Sequence, residues 1–295
     1  MGRQIRVDRA AIVPAHAQRD GTRQVTFDLA YLRLGIVNVI FVGYPDDQHR
    51  PWVLIDAGLT GTASAVQRAA RRRFGDRPPA AIILTHGHFD HVGALLTLAR
   101  TWQVPVYAHE LEHPYLDGSA SYPPPDPAVG GGLIAALSPL FPTHPVDVSA
   151  YLRPLPPDGT VPSMPGWRWH HTPGHSAGHV SLLRPYDHAL IAGDAVITTR
   201  QESVYAVAIQ RPELHGPPMY FTPDWDQARA SAQLVAALEP AMLVPGHGRA
   251  MAGNAMRTAL HRLADSFDRV ARPTQGTYLR HPSRPDDGTA YRPPR

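Results

Sequence analysis

The chain has no cysteine and no lysine, and no apolar run approaches the length of a membrane span. Without thiols there is no disulfide, no thiolate metal site and no cysteine nucleophile, which leaves histidine and the carboxylates as ligand types. Without lysine, all 28 cationic side chains are arginines. They are scattered, the net charge is only +3, and they form no stripe of the kind that tracks nucleic acid. The densest run, Arg71-Arg72-Arg73, ends a helical pattern and reads as a solvated face with its cations near a helix C-terminus. The N-terminal stretch carries charge but no continuous apolar core of the secretory-leader type, so a cytoplasmic protein is expected.

What is present is a globular balance of 43% hydrophobic and 18% charged residues, enough for one large core. One domain over 1–295 is expected. Gln24 to Tyr44 reads as successive strands broken at Gly35, followed by a strand from Trp52 to Asp56 and a helix from Thr62 to Phe74. Ala80 to Leu84 is a continuous apolar strand of the buried sort, His91 to Trp102 a helix, and Val104 to Ala108 another strand. Residues 113–165 are too rich in Pro and Gly for regular structure, apart from a short helix over Leu133 to Phe141. Strands are expected at Trp167 to His171, Val180 to Leu183, His188 to Ala192 and Ala241 to Val244. Helices are expected over Ala228 to Leu238, opened by Thr222-Pro223-Asp224 with a hydroxyl cap, and over Asn254 to Ala271. The polar tail 273–295 packs on the surface or frays.

The strongest chemical signal is Thr85-His86-Gly87-His88-Phe89-Asp90-His91, four ligand-type residues at the exit of an apolar strand. A core has no use for them, whereas imidazole and carboxylate suit zinc, iron, manganese or cobalt. Gly87 lets the backbone turn tightly between the first two histidines. Thr172-Pro173-Gly174-His175, Ala192-Gly193-Asp194 and Pro245-Gly246-His247-Gly248 each place one more such residue after a strand. Strand ends are where layered α/β folds assemble their sites. Asp56, in Leu54-Ile55-Asp56-Ala57-Gly58, reads either as an ordinary turn aspartate or as a group that orients a ligand histidine. His109, His170, His171 and His179 match no ligand position and read as structural.

His-X-His-X-Asp-His with a later His, an Asp and a final His resembles the metallo-β-lactamase superfamily, especially its glyoxalase II and lactonase branch, over roughly residues 25–272. The resemblance implies an α/β fold, a four-layer αββα sandwich with its site along one edge of paired sheets. It implies one metal on His86, His88 and His175, a second on Asp90, His91 and His247, and Asp194 bridging them. The cofactors implied are two divalent ions, zinc first, with iron, manganese or cobalt as alternatives. Two metals on the order of 3.5 Å apart depress the pKa of a shared hydroxide. Asp90 would then carry a proton to the leaving group.

Departures from related enzymes narrow the substrate. Zinc β-lactamases lack an aspartate at the bridging position, and flavodiiron reductases carry Glu where His88 stands. Glyoxalase II adds a glutathione-binding domain with lysine after the last histidine, and here about fifty residues without lysine follow His247. Signalling-lactone hydrolases place a tyrosine soon after the bridging Asp, where this chain has Ala195-Val196-Ile197 and no tyrosine before Tyr205. The expected activity is hydrolysis of an ester, lactone or thioester in a small metabolite. Phosphodiester hydrolysis on the same metals and a mononuclear iron dioxygenase of persulfide type are the alternatives. The partner expected is a small-molecule substrate, with no nucleic acid and no membrane, and a homodimer is compatible with the composition. The excursion over 113–165, with Tyr115, Leu116, Tyr122, Leu133, Leu137, Leu140 and Phe141, reads as a lid over an apolar pocket or as a loop packed on the fold itself.

Overall fold

A computed structural model describes residues 5–13, 18–47 and 49–294. Parts of the N-terminal stretch and the last residue of the tail read above lie outside the described residues. A ribbon pairs β1 (Ile5–Arg6) with β12 (Glu213–Leu214). The first large sheet runs in chain order: β2 (Arg23–Thr26), β3 (Leu29–Leu34), β4 (Val37–Val42), β5 (Val53–Ile55), β6 (Ala81–Ile83), β7 (Val106–Ala108) and β8 (Leu152–Pro154). It is antiparallel through β5 and parallel from β5 to β8. The second sheet contains β9 (Arg168–His171), β10 (Val180–Arg184), β11 (Ala189–Gly193), β13 (Met242–Pro245) and β14 (Met251–Ala252), in the order β14-β13-β11-β10-β9. Only β11 and β13 pair parallel in it.

Three apolar clusters make this an αββα sandwich. Val39, Phe41, Leu54, Ile82 and Leu84 of the first sheet pack against α1 (Ala63–Phe74) and α3 (Leu95–Trp102). The alternate side chains Ile40, Val53, Ile55 and Ile83 face Val180, Leu182, Ile191 and Val244 between the sheets. Leu190 and Leu243 of the second sheet meet α7 (Trp225–Ala237) and α8 (Gly253–Asp265) on the far side. The period of two along each strand assigns successive residues to opposite layers, so both faces are apolar and the strands read as continuous runs.

Several expected elements differ. The helix over His91 to Trp102 is broken into α2 (Phe89–Val92) and α3 at Ala94, whose backbone leaves the helical region, while Gly93 lets the Leu59-Thr60 loop approach to where a Cβ would lie 2.2 Å from the Thr60 amide nitrogen. In the excursion the expected helix is present but shorter, α5 (Leu133–Leu137), and α4 (His113–Leu116) and the edge strand β8 are additional; the three residues of β8 are too few to show alternation in sequence. Asp224, not Thr222, caps α7, accepting hydrogen bonds from the Asp226 and Gln227 amides at 3.1 and 3.0 Å. A short α6 (Val204–Ile209) was not expected. The last helix ends at Asp265, and α9 (Phe267–Val270) follows as one turn. Arg73 is buried beside Asp20 and donates to Gln24 Oε1 at 2.9 Å, so only Arg71 and Arg72 of the arginine run are exposed. The tail packs: Ser121 and Arg292 exchange backbone hydrogen bonds at 2.7 and 2.9 Å, and Tyr278 and Ala290 are buried.

Candidate metal centre

Five strand ends meet at one edge of the sandwich, each turning its next residues inward. β5 leads to Asp56, β6 to Thr85 and the loop 86–91, β9 to His175, β11 to Asp194 and β13 to His247. The two sheets are tied there by Val180 N–H on the Thr85 carbonyl at 2.9 Å and by Asn38 N–H on the Gly246 carbonyl at 2.8 Å. All seven sequence-identified residues, His86, His88, Asp90, His91, His175, Asp194 and His247, come together and are buried. His86, His88 and His175 present nitrogens within 4.8 Å of one another, as do the ligand atoms of His86, His91 and Asp194, and those of Asp90, His91 and His247. Asp194 lies at the middle, with Oδ2 2.9 Å from His247 Nε2 and 3.3 Å from His175 Nε2, and Oδ1 3.6 Å from His91 Nε2.

The outward nitrogens of four histidines are committed elsewhere, which aims the inward ones. Thr85 Oγ1 donates to Asp56 Oδ2 at 2.9 Å, so it accepts from His86 Nδ1 at 3.0 Å. His91 Nδ1 donates to Asp56 Oδ2 at 2.8 Å, and His247 Nδ1 to the Ile36 carbonyl at 2.7 Å. Thr222, released from capping, donates to the Pro218 carbonyl and faces His175 Nδ1 at 3.4 Å. Each of these rings therefore keeps Nε2 for the centre, while His88 presents Nδ1, 2.9 Å from His175 Nε2. His86 Nε2, His91 Nε2 and Asp194 Oδ1 are shut from solvent with no hydrogen-bond partner. A buried polar atom left unpaired costs about 1–3 kcal/mol, so three of them aimed at one point fit a cation held among them.

Charge is distributed unevenly across the centre. Burial, then the neighbouring His91, His88 and His175, hold His86 well below the ordinary imidazole range, and burial and His175 do the same to His88. At His91 burial is outweighed by Asp194, Asp56 and Asp90, which hold its proton well above that range; Asp194 and Asp90 raise His247 likewise. Burial of Asp194 is overridden by His247 and His91, so its carboxyl stays ionised well below the usual carboxylate range. The sign for metal uptake follows. A cation entering at Asp90, His91 and His247 displaces protons, so its affinity falls as pH falls, while His86 and His88 are already neutral near pH 7. Calorimetric titration of metal-free protein with zinc, in buffers of different ionisation enthalpy, is expected to show proton release that belongs to the second site and an affinity there that falls steadily as pH is lowered. Equal pH dependence at both sites would contradict this.

Asp56 is placed against a ligand-type histidine, where the orienting reading needs it, rather than in an isolated turn. Its backbone sits at φ 60°, and its two oxygens accept from the Thr85 amide, the Thr85 hydroxyl and His91. Asp56→Asn tolerates that backbone and nearly preserves shape, but turns an amide N–H toward His91 Nδ1 or toward Thr85. We expect affinity at the second site to fall by about 10–100-fold. Unchanged zinc binding would remove the orienting role.

Some residues at the centre were not singled out in sequence. His179 is not a facing ligand, yet its Nε2 accepts the Asp194 amide at 2.8 Å, and burial with His175 beside it lowers its pKa to about 3. Nδ1 therefore carries the proton toward Thr172 Oγ1 at 2.8 Å. His109 stacks on His171 with ring centroids 4.4 Å apart, and neither these two nor His170 belongs to the ligand groups. Tyr122 lies against the His88 ring at 4.4 Å, and Phe221 covers the same ring at 4.8 Å. Glu112 receives the Gly87 amide at 2.9 Å. Its position just past the end of β7 was the available signal.

Comparison with known proteins agrees with this geometry. The profile of the metallo-beta-lactamase superfamily matches residues 32–247. The chain is 48% identical over 240 residues to the probable metallo-hydrolase YflN of Bacillus subtilis (strain 168), covering 81% of this chain and 90% of that protein. It is 28% identical over 212 residues to the probable metallo-hydrolase YybB of the same organism, covering 72% and 80%. Among solved structures, the Rm3 metallo-beta-lactamase superposes with a TM-score of 0.58 at 18% identity, covering 90% of this chain and 95% of that one, a likeness of fold.

Proposed function

This chain belongs to the metallo-beta-lactamase superfamily, and on that footing we propose that it is a two-metal hydrolase cleaving an ester, lactone or thioester bond in a small, uncharged metabolite. His86, His88 and His175 would hold one ion, Asp90, His91 and His247 the other, and Asp194 would serve both; zinc is the metal proposed. When bound, such a pair lowers the pKa of a shared water and absorbs developing oxyanion charge. The chain supplies the rest. Asp194, whose carboxyl is held ionised, would offset the charge of the ions themselves. Asp90 Oδ2, 3.5 Å from His247 Nε2, is the group proposed to pass a proton to the leaving oxygen or sulfur.

The observation that carries the substrate class is the lining of the cleft beside His88: Tyr122, Pro123, Pro124, Phe221, Pro223 and Tyr278, with no arginine. Phosphoryl transfer would have to rely on the metals alone to hold the non-bridging oxygens, because this wall adds no cationic side chain to them. The hollow itself is too small to hold an acyl group, and it is the apolar, cation-free character of this wall that favours one bound alongside the ligands. The scattered arginines, which form no stripe, support a small-molecule substrate, and no helix among the described residues is long and apolar enough to cross a membrane. The test is a panel of aryl ester, lactone, thioester, β-lactam and bis-aryl phosphate substrates with metal counted per chain. Preferential turnover of the phosphate would replace this reading with a phosphodiesterase. Oxygen uptake on a single iron would replace it with a dioxygenase.

The excursion contributes two different things to this site. Tyr115, Leu116 and Tyr122 are buried in the body of the fold, whereas Leu133, Leu137 and Leu140 of its outer part are exposed. Ile134 and Ala135 close an apolar cluster with Tyr220 and Phe221, and Phe141 packs against it. We therefore assign the lid to residues 129–141. Replacing them with a short Gly-Ser linker is expected to raise KM for acyl substrates about tenfold with metal content intact, the loss of roughly one apolar contact surface. An unchanged KM would remove the lid.

A further inference from the structure

Glu112 is buried, lies outside the seven ligands and has no part in the proposed chemistry, yet it accepts hydrogen bonds on both oxygens from two separate ligand loops. Oε2 accepts from the Gly87 amide at 2.9 Å and from the Tyr122 hydroxyl; Oε1 accepts from Ser176 Oγ at 2.8 Å and the Gly178 amide at 2.7 Å. Gly87 lies between His86 and His88, and Ser176 follows His175, so the partners of one carboxylate flank all three residues of the first metal position. The two loops leave different sheets: the first follows β6, the second follows β9. Both are shaped to approach this group. A Cβ on Gly178 would stand 2.8 Å from Glu112 Cγ, and one on Gly87 would stand 2.7 Å from the Tyr122 hydroxyl.

We propose that Glu112 is a positioning residue for the first metal: its carboxylate ties the 86–88 loop to the 175–178 loop across the two sheets and so sets the spacing of His86, His88 and His175. The inference rests on the two-metal reading above. Four donors converge on two oxygens, and only a carboxylate offers acceptors on both sides. A glutamine would turn its NH2 toward either the Gly87 or the Gly178 amide, releasing one loop. An aspartate keeps the charge but is a methylene too short to reach both. In neither case is a ligand removed, so the effect should fall on one metal position and spare the other.

The test is titration of the metal-free full chain with cobalt(II), followed by visible absorption and calorimetry, with a His88→Ala protein assigning the bands of the first position. Glu112→Gln is expected to weaken the first position about 10–100-fold and alter its bands, while the second stays within about threefold. Glu112→Asp should behave alike. Should Glu112→Gln fail to fold, Ser176→Ala removes one donor from Oε1 and is read the same way at smaller amplitude. Wild-type cobalt binding by Glu112→Gln overturns the proposal. So does loss at both positions in step with a lower Tm of the metal-free protein, which is what a merely structural role would give. If the wild-type chain itself takes up a single cobalt, the two-metal reading fails, a result visible before any variant is made.

Discussion

Replacing Asp194 with alanine is expected to lower kcat/KM by a thousandfold or more, on the order of 4 kcal/mol of transition-state stabilisation, with the fold retained. The reason lies in what touches this carboxylate. It reaches His175, His91 and His247, which belong to both metal positions, so neither is complete without it. It is also the charge that keeps protons on His91 and His247 inside the protein. In the variant those rings lose their strongest counter-charge, and their proton affinity falls toward that of ordinary buried imidazoles. Metal analysis should show fewer ions per chain, circular dichroism an unaltered fold. Two tightly bound ions with near-native turnover in Asp194→Ala would refute the central position given to this residue.

A methyl group at Gly246 is expected to do comparable damage without touching any ligand. The backbone here has no need of glycine for its dihedral angles, but a Cβ would stand 2.1 Å from Asp194 Oδ1 and 2.9 Å from His91 Cε1. Gly246 is pinned from both sides, its amide donating to the Gly193 carbonyl and its carbonyl accepting from Asn38, each at 2.8 Å. The loop cannot retreat, so Asp194 and His91 must. Overpacking of this kind costs about 1–3 kcal/mol of stability, and the displaced pair would forfeit the second metal and at least about a hundredfold in turnover. Thermal unfolding together with metal content would separate these effects. Full metal occupancy with native rate in Gly246→Ala would show the loop to be softer than its hydrogen bonds imply.

Both expectations concern residues of unequal visibility in the sequence. Asp194 announces itself as a carboxylate after an apolar strand and a glycine, and the same logic exposes His175 and His247. Gly246 is visible only as a companion of His247. Its exclusion of a side chain depends on Asp194, fifty-two positions earlier, occupying the space. The break between α2 and α3 is of the same kind. Residues 91–102 have helical periodicity, yet the Leu59-Thr60 loop packs so close to Gly93 that no side chain fits there, and no local propensity encodes that approach. The sequence points to the Thr222 hydroxyl as the cap of α7, and the structure uses Asp224. Competition for Thr222 by the Pro218 carbonyl and His175 decides it in favour of Asp224.

Composition and local pattern alone determined the ligand chemistry, histidine and carboxylate without thiol, and the strand ends that carry it. They also determined the alternation of apolar strands and amphipathic helices, while the pairing of two sheets was implied by the family resemblance of the ligand motifs. Tertiary structure decided which of the remaining polar residues serve those ligands. Asp56, Glu112, His179 and Thr222 are ordinary in sequence because their partners lie on other elements. A buried donor or acceptor must find its complement wherever the packed chain brings one within about 3 Å. That pairing is a property of the assembled layers, and no stretch of sequence carries both halves of it.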